Sequence, residues 1–109
     1  MSHGIVFARK IIEQVPDKDK EKVKEIEIEV GELAEIGAEE LKKAVEDVTG
    51  WRVIVSEMPS ESQCDCGYVG RVRIRERGHH IVLYDCPKCG SVPRVIVGQD
   101  IKLKKVVYY

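Results

Sequence analysis

The sequence predicts an α+β fold: two helices packed on a small three-stranded mixed sheet, with an inserted four-cysteine zinc-ribbon lobe. Three observations predict it. Two stretches carry apolar residues at helical spacing. Three others alternate apolar and charged residues with the period of a strand. All four cysteines fall in the second half of the chain as two close pairs.

The first helix rests on Ile5, Ala8, Ile12 and Val15, with Phe7 and Ile11 widening the apolar stripe. Pro16 interrupts it, and Asp17-Lys18-Asp19-Lys20 reads as a solvated turn or a frayed second helical stretch. From Val23 to Val30 the period changes to two. Ile26, Ile28 and Val30 face one way and Glu25, Glu27 and Glu29 the other, and Gly31 ends the strand.

Helical spacing returns from Ala38 to Val48, with Leu41, Ala44, Val45 and Val48 on one face and a Glu39–Lys43 pair in support. Gly50 stops this helix, and Trp51 to Val55 forms a second strand. Met58-Pro59-Ser60-Glu61-Ser62 reads as a polar linker. The last strand, Ile101-Lys102-Leu103-Lys104, places its lysines opposite Glu25, Glu27 and Glu29 when laid beside the first strand. The C-terminus therefore returns to the first sheet, and the cysteine-bearing segment is an insertion. The expected units are 1–59 plus 98–109, and 60–97.

Cys64 and Cys66 form one pair and Cys86 and Cys89 the other, with nineteen residues between them. This is the layout of a four-thiolate zinc site, closed by sulfur ligands at about 2.3 Å. Cys86-Pro87-Lys88-Cys89-Gly90 is a zinc knuckle, and Cys64-Asp65-Cys66-Gly67 is a version one residue shorter. Two disulfides are the alternative. Against them stand the lack of a secretory signal, a charge-rich composition that points to the cytoplasm, and the poor geometry of a Cys-x-Cys bridge. Between the pairs, Val72 and Ile74 alternate with Arg71, Arg73 and Arg75, Arg77-Gly78 turns the chain, and His80 to Asp85 runs back. Such a hairpin brings the two pairs together.

The chain of 109 residues has a net charge of −1. The first 63 residues hold nine basic against fifteen acidic side chains, and the rest nine against four. The second half is a mildly basic lobe without a cluster of cations backed by aromatic residues, which gives little support to nucleic-acid binding. No apolar run approaches the length of a membrane span.

His3 stands where the N-terminus itself can become a ligand. Removal of Met1 before Ser2 leaves the Ser2 amine, the amide nitrogen of His3 and its imidazole Nδ1 as three donors in one plane. That set suits square-planar Ni(II) or Cu(II) and leaves a fourth position open. With Met1 retained, the amine, two amides and the imidazole close all four positions. A disordered terminal histidine is the plainer reading.

Taken together, these residues resemble the HypA/HybF family of accessory proteins that deliver nickel during hydrogenase maturation. The resemblance runs through the first helix, Val30-Gly31-Glu32-Leu33-Ala34-Glu35-Ile36, the second helix, Cys64-x-Cys66-Gly67-Tyr68-x-Gly70, Cys86-Pro87-x-Cys89-Gly90-Ser91, and the strand led by Gly98-x-Asp100-Ile101. It implies a nickel metallochaperone with Ni²⁺ as transient cargo, a structural Zn²⁺ and no catalysed reaction. The implied partners are a nickel-handling GTPase and the hydrogenase large-subunit precursor. The family begins Met-His-Glu; here His3 lies one place later with Gly4 in place of the glutamate, and the segment between Val48 and Trp51 is shortened. These departures mark a divergent, archaeal-type paralogue.

Several residues admit two readings. His79 and His80 are exposed turn residues at the hairpin tip, or else accessory ligands for zinc or nickel. Asp65 reads as a turn former or a ligand, Glu32 and Glu35 as solvated caps or as residues approaching the N-terminal helix, Trp51 as core, and the arginines as a solvated strand face or a docking surface for an acidic partner. The competing function is a zinc-ribbon module for protein or nucleic-acid interaction with no nickel role.

Overall fold

The computed structural model describes residues 3–78 and 81–109, and of His3 its place in the first helix. Two α-helices, α1 (His3–Ile12) and α2 (Ala38–Thr49), lie with the first sheet, and a 3₁₀ turn covers Asp17–Lys22. Strands β1 (Val23–Gly31), β2 (Arg52–Met58) and β8 (Ile101–Tyr108) form that sheet in the order β2-β1-β8. β2 runs parallel to β1 across the α2 crossover, and β8 runs antiparallel to it. The mixed α+β body and the return of the C-terminus are as the sequence predicts.

Apolar alternation fixes the register. Ile26, Ile28 and Val30 of β1 are buried with Ala8, Ile11 and Val15 from the first helical segment and Leu41 and Val45 from α2. A slip of one residue would turn this whole row to solvent. Opposite them on β8 stand Val106, Leu103 and Ile101. The spacing from Leu103 to Val106 breaks strict alternation, and Lys104 takes up the extra residue as a bulge between the Ile28–Leu103 and Glu27–Lys105 pairs.

On the outer face Glu29 faces Lys102, and Glu27 faces Lys105. Lys104 reaches Glu29 at 3.9 Å and Arg52 reaches Glu25 at 3.4 Å. Exposed pairs of this kind contribute roughly 0–1 kcal/mol each. They refine a pairing that the apolar face has already selected.

Two expectations are corrected in this body. The α1 helix ends at Ile12, and Gln14 and Val15 donate instead to Ile11 O and Ile12 O, each at 3.1 Å. Pro16 drives this by disfavouring helical backbone at the residue before it. Val48 is exposed rather than part of the buried face of α2, whereas Trp51 does join the core.

Beyond Met58 the chain leaves the first sheet and builds a second one from β3 (Glu61–Gln63), β4 (Val69–Gly70) and β7 (Arg94–Val97), in the order β4-β3-β7. A hairpin of β5 (Arg73–Arg77) and β6 (Val82–Asp85) extends from it. The polar stretch expected to be a linker thus supplies a central strand. Ser62 is fully buried there, and its hydroxyl donates to Gly70 O at 2.7 Å.

Candidate metal centre

Each cysteine pair sits on a tight turn closed by main-chain hydrogen bonds. In the first knuckle the Cys64 N–H donates to Tyr68 O and the Gly67 N–H to Cys64 O, both at 2.9 Å. In the second the Cys86 N–H donates to Ser91 O at 2.7 Å and the Gly90 N–H to Cys86 O at 2.9 Å. Gly67 and Gly90, each directly after the second cysteine of its pair, have φ of 97° and 80°. A side chain at either would be strained, so the two knuckles use the same backbone device despite their different lengths.

The turns meet at one end of the second sheet, where Gln63 pairs with both Val69 and Arg94. Cys64 Sγ lies 3.4 Å from Cys89 Sγ, and Cys66 Sγ lies 3.7 Å from Cys86 Sγ. All four sulfurs fall within 4.8 Å of one another, and all four thiols are free. A disulfide needs about 2.05 Å. A tetrahedron of sulfurs around one ion at about 2.3 Å has edges of about 3.8 Å. The donor set therefore fits a tetrahedral four-thiolate metal site and not a pair of disulfides.

The electrostatics of the bare thiols agree. At Cys64 the Cys66 backbone N–H favours the thiolate, but burial and the thiols of Cys89, Cys66 and Cys86 together push it up to about 12. Cys89 falls to about 6 through the Ser91 backbone N–H and then the Cys64 thiol. One proton leaves easily and another is held hard, because four thiolates cannot crowd together uncompensated. A divalent cation removes that obstacle.

Asp85, next to Cys86, pins the base of the hairpin. Arg73 donates to it from Nε at 2.8 Å and Nη2 at 3.0 Å, and Arg75 approaches at 3.7 Å. The arginine stripe is therefore committed at Arg71, Arg73 and Arg75, while Arg77 has no ion-pair partner among the described residues.

Glu32 corrects the sequence reading most sharply. It is buried, with 1% of its surface exposed, and not a solvated cap. Its carboxylate accepts Arg71 Nε at 2.9 Å on both oxygens and Arg71 Nη2 at 2.7 Å, and it also accepts the Ser60 N–H. Burial works to raise its pKa, but the Arg71 fork and the Ser60 hydrogen bonds outweigh it and hold the carboxyl at about 2. Glu35 is exposed, as expected. The stretch Val30–Ile36 contains Glu32 but carries no signal of its burial, since its partners lie 28 and 39 residues away.

His3 opens α1, which tethers the terminus to the body. Its side chain, Ser2, His79 and His80 lie outside the described residues, so the expected nickel ligands and accessory ligands are untouched by this geometry. Among the described residues no other group of metal-ligating side chains comes together.

A helix-backed mixed sheet carrying an inserted four-cysteine ribbon defines a small protein of α+β fold with a candidate metal site. The family described as "Hydrogenase/urease nickel incorporation, metallochaperone, hypA" matches residues 3–108, and the chain belongs to it. The HypA hydrogenase maturation factor of Methanocaldococcus jannaschii is 37% identical over 100 residues, covering 84% of this chain and 77% of its own length. That of Azotobacter chroococcum is 32% identical over 114 residues, covering 97% and 93%. The solution structure of the Ni metallochaperone HypA from Helicobacter pylori aligns with a TM-score of 0.56 at 16% identity, covering 99% of this chain and 97% of that one. It supports the shared fold. Among the described residues no helix is long and apolar enough to cross a membrane.

Proposed function

We propose that this chain is a nickel metallochaperone that binds Ni(II) at its N-terminus and delivers it during maturation of [NiFe] hydrogenase. The observation that carries this reading is the nickel-incorporation family match over residues 3–108, joined by relatives named as hydrogenase maturation factors along most of the chain. In this reading Cys64, Cys66, Cys86 and Cys89 hold a structural Zn²⁺. With its four positions filled by thiolates, such an ion has no site for substrate and braces the ribbon without catalysing a reaction. The protein acts as a carrier and not as an enzyme.

Nickel is cargo. The Ser2 amine, freed by loss of Met1, joins the His3 amide nitrogen and imidazole as a planar three-nitrogen clamp, with the fourth position left for an incoming ligand. Such a clamp holds Ni²⁺ selectively and still lets it leave, because a recipient's ligand can enter before the first ones depart. His79 and His80 are the side chains proposed to supply an accessory ligand. The body, 1–59 with 98–109, is the nickel-binding unit, and 60–97 is the zinc-ribbon unit. The partners are a nickel-handling GTPase and the hydrogenase large-subunit precursor, met in the cytoplasm.

The test is calorimetric titration of Ni²⁺ into zinc-loaded protein, with intact mass spectrometry to establish whether Met1 is present. Chain starting at a free Ser2 amine is expected to bind one Ni²⁺. N-terminal acetylation or His3→Ala is expected to abolish that binding while the zinc content stays at one. Equal nickel affinity in all three forms overturns the reading and leaves a zinc-ribbon interaction module.

A further inference from the structure

Among the described residues, one ion pair joins the three-stranded body to the zinc ribbon: Glu32, just past β1, with Arg71, between β4 and β5. The remaining pairs fall within the body or within the ribbon. The two partners are unequal. The Glu32 side chain is 0% exposed, whereas that of Arg71 is 63% exposed. A carboxylate buried at the end of the body's central strand thus receives a guanidinium that reaches in from the surface of the ribbon.

The chain passes between the two parts twice, at 58–61 on the way out and at 97–101 on the way back. Both passages press against the end of β1. The Glu32 N–H donates to Met58 O and the Leu33 N–H to Gly98 O, each at 2.8 Å. These bonds anchor the body's side of the crossing. On the ribbon side the anchors are few. Ser60 N–H donates to Glu32, and Ser60 Oγ accepts the Val72 N–H at 3.1 Å. Ser60 and Arg71 therefore converge on one carboxylate from the two ends of the ribbon's first strands.

We propose that Glu32 and Arg71 form a latch that sets the orientation of the zinc ribbon on the body, and that opening it turns the two crossing segments into a hinge. This goes beyond the nickel reading and does not depend on it. A bidentate guanidinium–carboxylate pair constrains angle as well as distance, which a single point charge cannot do. A carboxylate this deeply buried strongly opposes loss of its partner, so the latch favours one arrangement rather than a continuum. The exposed flank of Arg71 is where the latch is open to challenge from solvent.

The experiment measures residual dipolar couplings and ¹⁵N relaxation on the zinc-loaded full chain. In the unsubstituted protein, amides of 23–58 and 101–108 and those of 61–78 and 81–97 are expected to fit a single alignment tensor. In Arg71→Ala the two groups are expected to need separate tensors, with the zinc content and the internal couplings of each group unchanged. Arg71→Lys, which keeps the charge and loses the fork, is expected to fall between. Should Arg71→Ala fail to fold around its stranded carboxylate, Glu32→Gln/Arg71→Ala removes the buried charge and decides the matter. A single shared tensor in that double variant, or two tensors already in the unsubstituted protein, overturns the latch.

Discussion

The backbone of Gly98 crosses Gly31 so closely that a Cβ built on Gly31 would stand 2.2 Å from the Gly98 carbonyl oxygen. Gly98 in turn, at φ 113°, leaves no room for its own side chain against Ser60, whose Cα lies 2.7 Å from the built Cβ. Three main-chain segments therefore meet at the end of β1 with nothing between them. Gly31→Ala forces backbone against backbone, and we expect a loss of roughly 2–4 kcal/mol in urea unfolding. A loss below about 0.5 kcal/mol would show that the crossing relaxes freely.

Glu32 gives the fold an acid-sensitive contribution with a defined window. Its folded-state pKa is depressed to about 2 from 4.5, so the stabilisation is present above 4.5 and is lost as the pH falls towards 2. The groups around it are Arg71, Ser60 and, next to Arg71, Glu57. The stability difference between the unsubstituted chain and Glu32→Gln should be constant near neutrality and shrink through this window. Comparing the two chains cancels the acid sensitivity of the metal site. At neutral pH the substitution is expected to cost about 2–3 kcal/mol, since the glutamine amide keeps an acceptor for Ser60 but loses the charge.

The Arg73–Asp85 fork stands one residue from Cys86 and is exposed on the arginine side, with 45% of that side chain accessible. Its direct contribution to stability is therefore small, about 0.5–1 kcal/mol. Its effect on metal retention should be larger. In Asp85→Asn or Arg73→Ala the hairpin base loosens beside a ligand, and release of zinc to a competing chelator is expected to rise about tenfold. Unchanged release kinetics would assign the fork to the hairpin alone.

Removing the metal itself should separate the two parts of the molecule. With Cys86→Ala or a strong chelator, amide protection is expected to vanish in β3 to β7 and to persist in β1, β2 and β8, whose core contains no cysteine. Thiol titration of the metal-free protein should count four reactive groups, and the zinc-loaded protein none. Loss of protection throughout the body would show that the ribbon's order is required for the whole fold.

The bulge on β8 yields a deletion test. Without Lys104 the pairs Ile28–Leu103, Glu27–Lys105 and Ile26–Val106 form an unbroken ladder with Ile101, Leu103 and Val106 still facing the core. Deleting Lys104 is expected to cost no more than about 1 kcal/mol, chiefly the weak contact with Glu29. Deleting Leu103 instead moves Lys104 opposite Ile28, putting a charged side chain at an apolar core position, and should prevent folding. Thermal denaturation of the two deletions distinguishes these outcomes.

Much of this architecture is legible in the chain because its dominant signals are local. Ile26, Ile28 and Val30 announce β1, Leu41 and Val45 announce α2, and the knuckles announce a metal site through their own spacing. Charge alternation even indicated which strand β8 would join, although it missed the bulge that moves Lys105, not Lys104, opposite Glu27. What stayed hidden depends on long-range convergence. Glu32 looks like any acidic residue after a strand, and Ser60 and Ser62 look like linker. They are buried because Arg71 and Gly70 arrive from elsewhere. Strands of two or three residues, such as β3 and β4, are too short to carry a period at all.

The points where the chain departs for the ribbon and returns from it are held by consecutive amides, those of Glu32 and Leu33. Met58 is held from the β2 side of β1 and Gly98 from the β8 side, and the two passages meet where Gly98 lies against Ser60. The ribbon is thus a cartridge plugged into a closed socket. A short bridge from Met58 to Gly98 would excise it and leave the body's strand order intact, and a foreign hairpin module with matching ends should seat in the same socket.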